Sequence, residues 1–398
     1  MKNLRVLTFA LVAAASTWGG AAVSQNSPSA PASKASFKNG ASTTGWLDFN
    51  FYADRRVYVP AQINGQDVLV WLVDGAKTSS IDNGFAASLG LPRNATDTPA
   101  ATVSVQIQIG DLTLQNVQAS PIDLGAKRTD PVFVPFVLGD DLFNEVAVDI
   151  DFAQHRIAFT NPASITKLAG AIEVPIIQTL GARTVPVSVE GALPTQFKFY
   201  IGDPSPMTVY QTYYEAHKLL ENRPTSLRLG GGLSGARPQE AVATLRRAQF
   251  AGVDFSQVPG VFPPDTVRAD ETDKASGHIG LALLSRFRLI IDYSHDRLYA
   301  APYTDKLTTT FAKDRLGLTY SAKGSTLIVD LVSPGSPAQA AGLKVGDTIT
   351  RVDQLVDEKP VQVWPPSGSA PPASDIGTIM AFTLEDGAIR KVKLAYYF

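Results

Sequence analysis

The chain has no cysteine in 398 residues, which excludes disulfide scaffolds, thiolate metal sites, cysteine nucleophiles and acylated cysteine anchors. Histidine is nearly as scarce. The four, at positions 155, 217, 278 and 295, include no pair at i, i+4, so no metal centre is expected. Neither sign of charge is in excess. Lys and Arg number 35 against 37 Asp and Glu, a formal charge of −2, which argues against a nucleic-acid partner held by a strong basic field. Beyond the first residues, no stretch reaches the roughly 18 uninterrupted apolar residues of a membrane span.

What is present suffices for sizeable cores: 44% of residues are hydrophobic and only 18% charged. At about 150 residues per domain, two to three domains are expected. Lys2 and Arg5 precede an apolar run, Val6 to Ala15, and then the small residues Gly19 to Ala22. That order is the signature of a secretory signal peptide, cleaved between about Ala22 and Gln25. Residues 1–24 are therefore assigned to the signal. Residues 25–44, rich in Ser, Ala, Asn and Pro, are assigned to a flexible leader. Export without cysteine fits the bacterial periplasm or the cell exterior, with no membrane partner after cleavage.

The remainder repeats itself. Val59-Pro60-Ala61-Gln62-Ile63-Asn64-Gly65 is answered by Val185-Pro186-Val187-Ser188-Val189-Glu190-Gly191. Leu138-Gly139, Leu142, Asp151-Phe152 and Arg156-Ile157 are answered by Ile279-Gly280, Leu283, Asp292-Tyr293 and Arg297-Leu298, at one spacing throughout. Agreement of Gly, Leu, Asp and Arg in one register indicates an internal duplication. Each copy reads mainly as strand: Val57–Ile63, Val68–Val73, Thr102–Ile109, Leu112–Ala119 and Val146–Phe152 are alternating or continuous apolar runs. Asn64-Gly65, Gly110-Asp111 and Glu190-Gly191 supply the turns. Short helices are expected over Gly84–Leu89, Tyr213–Leu220 and Asp140–Asn144, with a counterpart after Gly280.

The third segment differs. Pro334-Gly335-Ser336-Pro337-Ala338 leads through Ala341-Gly342-Leu343 to Gly346-Asp347-Thr348-Ile349. Ser336-Pro337 suits a helix N-cap and first turn, and Gly342 its C-terminal end. This run resembles a bacterial PDZ domain, placed at 306–398. The resemblance implies that a polypeptide C-terminus binds as an added strand, its carboxylate cradled by backbone N–H groups of Leu316, Gly317 and Leu318 in the loop Arg315-Leu316-Gly317-Leu318. One feature departs from the family: Trp364-Pro365-Pro366 to Pro371-Pro372 replaces the helix that normally walls the groove. The alternative is a PDZ that only packs on its neighbour.

The repeats resemble retropepsin-like aspartic proteases, with two pepsin-type β-barrel lobes in one chain at 45–167 and 170–303. Val137-Leu138-Gly139 matches the family's second motif in lobe one, and His278-Ile279-Gly280 most of it in lobe two. The resemblance implies a fold that is mainly β and a dyad of Asp residues, one per lobe, sharing a proton and activating water, with no cofactor. In lobe one, Trp71-Leu72-Val73 delivers Asp74 and then Gly75-Ala76, without the family's Thr or Ser, for which Thr78 or Ser79 is a candidate. In lobe two, counting along Phe197–Ile201 puts Gly202 at the Asp position and Asp203 one residue late, followed by Pro204. Three readings stay open: Asp74 and Asp203 as a working dyad; Asp74 paired with Asp74 of a second chain; or lobes that keep the fold and have lost proteolysis. The expected function is an exported aspartic-protease-like protein that binds polypeptides with proteolysis impaired. The alternative is an active aspartic endopeptidase. Gly75 and Ala76 would line the cleft, with Gly231 and Gly232 in a glycine-rich hairpin above it. Asp140, Asp141, Asp149 and Asp151 read as solvated turn and strand positions, Arg156 and Arg297 as hairpin braces, and His217 as a packing or surface residue.

Overall fold

A computed structural model describes residues 32–52, 56–93, 102–124, 133–179, 182–230, 237–265, 275–364 and 375–398. Expected signal residues 1–24 lie outside these ranges, as do Gly231, Gly232 and the Pro365 to Pro372 run. The fold is mainly β, with barrel-like sheets and short helices. Among the described residues, no helix is long and apolar enough to cross a membrane.

Both copies are built the same way. The hairpin Arg56–Ile63 with Gln66–Leu72 turns at Asn64-Gly65, both at positive φ. The hairpin Ala182–Val189 with Thr195–Tyr200 turns where Glu190 and Gly191 do the same. The second strand of each then runs parallel to a later strand carrying the Gly motif: Leu72 lies opposite Leu138, and Phe199 opposite Ile279. That later strand is also paired, antiparallel, with Ser79–Asp82 in one copy and Met207–Val209 in the other. A six-residue helix follows each: Asn83–Ser88, capped by the Asp82 carboxylate, and Gln211–Ala216. Both begin near the expected positions and end sooner.

The duplication also shows where the copies meet. Gly139 and Gly280, Asp151 and Asp292, and Arg156 and Arg297 are each 141 positions apart. The strands Ala147–Asp151 and Phe287–Asp292 pair antiparallel as Val148–Ile291, Asp149–Ile290 and Ile150–Leu289. Asp149 thus faces its own counterpart, Val148 that of Ile150 and Ile150 that of Val148, so a local pseudo-twofold axis passes through the Asp149–Ile290 pair. This pairing builds a six-stranded sheet from both copies. One apolar core likewise runs through both, from Phe49 to Phe311.

Two expectations need correction. Residues 34–37 are not a loose leader: Lys34–Phe37 is a strand on Leu112–Gln115, because alternation sets the partly buried Ala35 and Phe37 against the core. Asp149 and Asp151 are not solvated. Asp149 forms two bonds with Arg288 at 3.0 and 2.7 Å, and the buried Asp151 holds Arg156 and the Tyr303 hydroxyl. Arg156 and Arg297 do brace their hairpins, through Asp151 and Asp292.

The third segment has its own core, around Leu327, Val329, Ile349, Val352 and Phe382. It is seated on the second copy. Ser333 Oγ donates to the Leu227 carbonyl at 2.7 Å, Ser226 Oγ to the Pro334 carbonyl at 2.7 Å, and Arg237 pairs with Asp330. The connection is clamped by the buried Arg286, which donates to the carbonyls of Lys306 and Thr309 and lies over the Phe311 ring.

Candidate functional site

Strand register decides what Asp74 and Asp203 can do. Leu138 and Ile279 are equivalent by the 141-residue offset, and they face Leu72 and Phe199. Two residues on, the counterpart of Asp74 is therefore Ile201. A second contact agrees. The Asp140 N–H donates to the Ala76 carbonyl at 2.8 Å, and its equivalent, the Leu281 N–H, to the Asp203 carbonyl at 2.7 Å. Asp203 is thus the counterpart of Ala76, two residues beyond the Asp74 position. Gly202 matches Gly75, not Asp74 as counting strand length suggests. The counted register fails because a strand's end cannot be located to one residue from its apolar run.

Asp74 is fully buried and reaches across to the other copy. Its Oδ1 accepts the Ile201 N–H at 2.5 Å, and its Oδ2 the Tyr293 hydroxyl at 3.4 Å. Burial pushes its carboxyl well above the usual range; the Ile201 N–H pulls the other way, and the field of Asp140 adds to the rise. Asp140 in turn accepts the Gly75 N–H at 2.8 Å and lies 3.5 Å from Arg183, whose guanidinium sits over the Tyr293 ring at 3.9 Å. Close approach of backbones requires glycine here. A Cβ on Gly139 would stand 2.1 Å from the Ala76 carbonyl oxygen, and one on Gly280 2.1 Å from that of Ser205.

Asp203 lies in different chemistry. Its side chain is 15% exposed and paired with His278 Nε2. Oδ1 accepts the Ser205 N–H at 2.8 Å, and the Thr208 hydroxyl lies 3.4 Å from Oδ2. Burial alone would raise its pKa, but the hydrogen bond and charge of His278, with the charge of Arg228, hold it at about 2. His278 Nδ1 faces the Tyr210 hydroxyl at 3.3 Å. All four carboxylate oxygens of Asp74 and Asp203 thus have partners, and those partners belong to separate sets.

Ser79, a candidate for the missing Thr or Ser, instead donates to Asp141 at 2.7 Å and accepts the Gly139 N–H. Among the described residues no group of three or more His, Asp or Glu is arranged to hold a metal. Around the glycine-rich segment, Thr225–Leu229 and Gln239–Phe250 pair as a hairpin, closed by the Gly230 N–H donating to the Pro238 carbonyl. His217 stacks on Tyr213 at 4.1 Å, a packing role as expected.

Asp140, Tyr293 and His278 surround the two acids without belonging to either family motif as functional groups. His278 carried a signal, since it interrupts the apolar pair before Gly280 where Val137 stands in the first copy. Tyr293 carried one too, as a hydroxyl in place of Phe152. Asp140 offered none beyond its place after Gly139.

In the third segment, Leu318–Lys323 is an end strand, paired among the described residues only with Thr326–Val332. Gly317 has φ +72°, and a Cβ there would lie 2.1 Å from Ser336 Cβ, so glycine is obligatory. Ser336 caps the helix Pro337–Ala340, as its sequence predicts. The N–H groups of Leu316 and Gly317 are turned toward the Asp314 carboxylate, with N···O distances of 2.9 to 3.2 Å.

No curated protein matches this chain. Residues 307–364 match the family model of the PDZ domain. With its cap and glycine-dependent loop, the stretch 307–364 belongs to the PDZ domains, a fold whose members bind peptide C-termini.

Proposed function

We propose that this is an exported protein of two retropepsin-like lobes, at 45–167 and 170–303, followed by a PDZ domain, that binds polypeptides and does not cleave them. Its location on this reading is the periplasm or the exterior. The duplicated hairpin-and-Gly-motif architecture supports the lobes. The observation that carries the loss of proteolysis is the partnering of the two acids. A proton-sharing dyad needs two carboxylates facing each other and a water. Asp74 instead ties the lobes together through Ile201 and Tyr293, and Asp203 is committed to His278. Asp74 thereby takes the bracing role that Thr or Ser plays in the family's motif. Polypeptide binding rests on the PDZ domain, with Leu316, Gly317 and Leu318 as its carboxylate loop.

One observation favours an aspartic endopeptidase. The Asp74 carboxyl is pushed up by burial while that of Asp203 is held at about 2, an opposition of the kind such chemistry uses. The causes differ, however: burial in one case and His278 in the other. The test is hydrolysis of labelled casein from about pH 3 to 7 by wild type, Asp74→Asn and Asp203→Asn. The binding reading expects background rates from all three. Cleavage by the wild type that both variants abolish would overturn it.

A further inference from the structure

The PDZ loop carries its own carboxylate. Asp314 stands immediately before Arg315-Leu316-Gly317-Leu318. Its Oδ1 accepts the Leu316 N–H at 2.9 Å and the Gly317 N–H at 3.2 Å, and its Oδ2 the Gly317 N–H at 3.1 Å. A separate stretch of chain fixes it there: the Tyr397 hydroxyl donates to Oδ2 at 2.8 Å. That stretch is itself tied down on both sides of Asp314. The Ala395 N–H donates to the Arg315 carbonyl at 3.1 Å, and Lys313 Nζ to the Phe398 carbonyl at 3.1 Å. The loop cannot swivel to offer its donors elsewhere. The Gly317 carbonyl accepts the Ser333 N–H at 2.9 Å, the Leu316 carbonyl the Ala338 N–H at 3.0 Å, and the Ser336 hydroxyl lies 3.4 Å from the Gly317 carbonyl.

We propose that Asp314 is an internal occupant of the PDZ carboxylate site, latched by Tyr397, which a polypeptide C-terminus must displace to bind. This rests on the peptide-binding reading of the PDZ domain. Two carboxylates cannot share two N–H donors, and like charges at that distance repel. Apparent affinity for a C-terminus is therefore reduced by the fraction of molecules in which the site is free. The side chain's departure would also free the Tyr397 hydroxyl. Ser333, which grips Gly317, is the same residue that donates to Leu227 of the second copy. The emptied loop is thus one residue from the contact between the PDZ domain and its neighbour.

Two measurements on the full chain test this. The first is amide hydrogen exchange at Leu316 and Gly317. Both are expected to be protected in the wild type and to exchange at least about ten-fold faster in Asp314→Ala. Unchanged exchange in the variant overturns the occupancy. The second is fluorescence anisotropy with a pool of labelled hexapeptides ending in Val, Leu, Phe or Ala, each as free acid and as amide. Asp314→Ala is expected to bind free acids about ten-fold more tightly than wild type, with amides unaffected, and Tyr397→Phe to give a smaller gain. Free acids binding both proteins equally would overturn the gate and leave the peptide-binding reading standing. No binding to either protein, with exchange accelerated, would overturn the peptide-binding reading and the gate with it.

Discussion

Asp74 and Asp203 sit at the ends of equivalent strands, in two copies of one architecture, and physical chemistry has sent them opposite ways. Asp74 is sealed from water and held above the usual carboxylate range, because burial penalises its charge. Asp203, with an imidazole and a guanidinium nearby, is held at about 2. The difference follows from a two-residue displacement. Asp74 points at the partner copy's backbone, whereas Asp203, at the position of Ala76, points back into its own copy beside His278. A duplicated scaffold can therefore keep its strands, its tight glycines and its ion-paired hairpins while its two acids take up different work.

The copies share their tightest constraint, and breaking it gives the largest expected effect. Gly139→Ala and Gly280→Ala each push a Cβ into a backbone carbonyl at 2.1 Å, which no rotamer relieves. Each should cost about 3 kcal/mol or more in urea unfolding, alike in both copies. A mild effect in one copy alone would break the equivalence.

The acids come next. Asp203 has a depressed folded pKa, so its contribution is present above the unfolded value of about 3.9 and is lost as pH falls toward 2. It amounts to about 2 kcal/mol at neutral pH, and Asp203→Asn should remove it and flatten the acid limb of stability against pH. Asp74 has the opposite sign. With its folded pKa raised, stability is greatest below the unfolded value and falls as pH rises toward the folded one. Asp74→Asn mimics the protonated acid and should abolish that fall, keeping an acceptor for the Ile201 N–H. Asp74→Ala leaves that buried donor unmet and should cost about 1–2 kcal/mol at low pH. Identical pH profiles for the two Asn variants would erase the contrast. The smallest effect belongs to the PDZ seat: Ser333→Ala removes one hydrogen bond to Leu227 and should lower the melting free energy by about 1 kcal/mol.

The scaffold was legible where local chemistry determines it. Asn64-Gly65 and Glu190-Gly191 needed positive φ, the Gly–Leu–Asp–Arg spacing exposed the repeat, and Ser336-Pro337 announced a capped helix. The site was less legible because its contacts are distant in sequence. Nothing near Asp74 indicates that Ile201 and Tyr293 will meet it, and apolar strand length misjudged the end of Phe197–Ile201 by one residue. Residues 34–37 were hidden by their Ser- and Ala-rich surroundings, although Ala35 and Phe37 alternate as a strand should. Asp314 is legible only from its position, since a carboxylate immediately before such a loop is the first group able to fill it.

The central claim is that the two acids titrate independently, each in its own environment. Carbonyl carbon NMR of the side-chain carboxyls, followed from about pH 2 to 8 in wild type and Asp203→Asn, tests it most directly. The account predicts a single high transition for Asp74 that Asp203→Asn leaves in place, and a separate low one for Asp203. A coupled two-step titration, in which Asp203→Asn shifts Asp74 back toward the ordinary range, would contradict it.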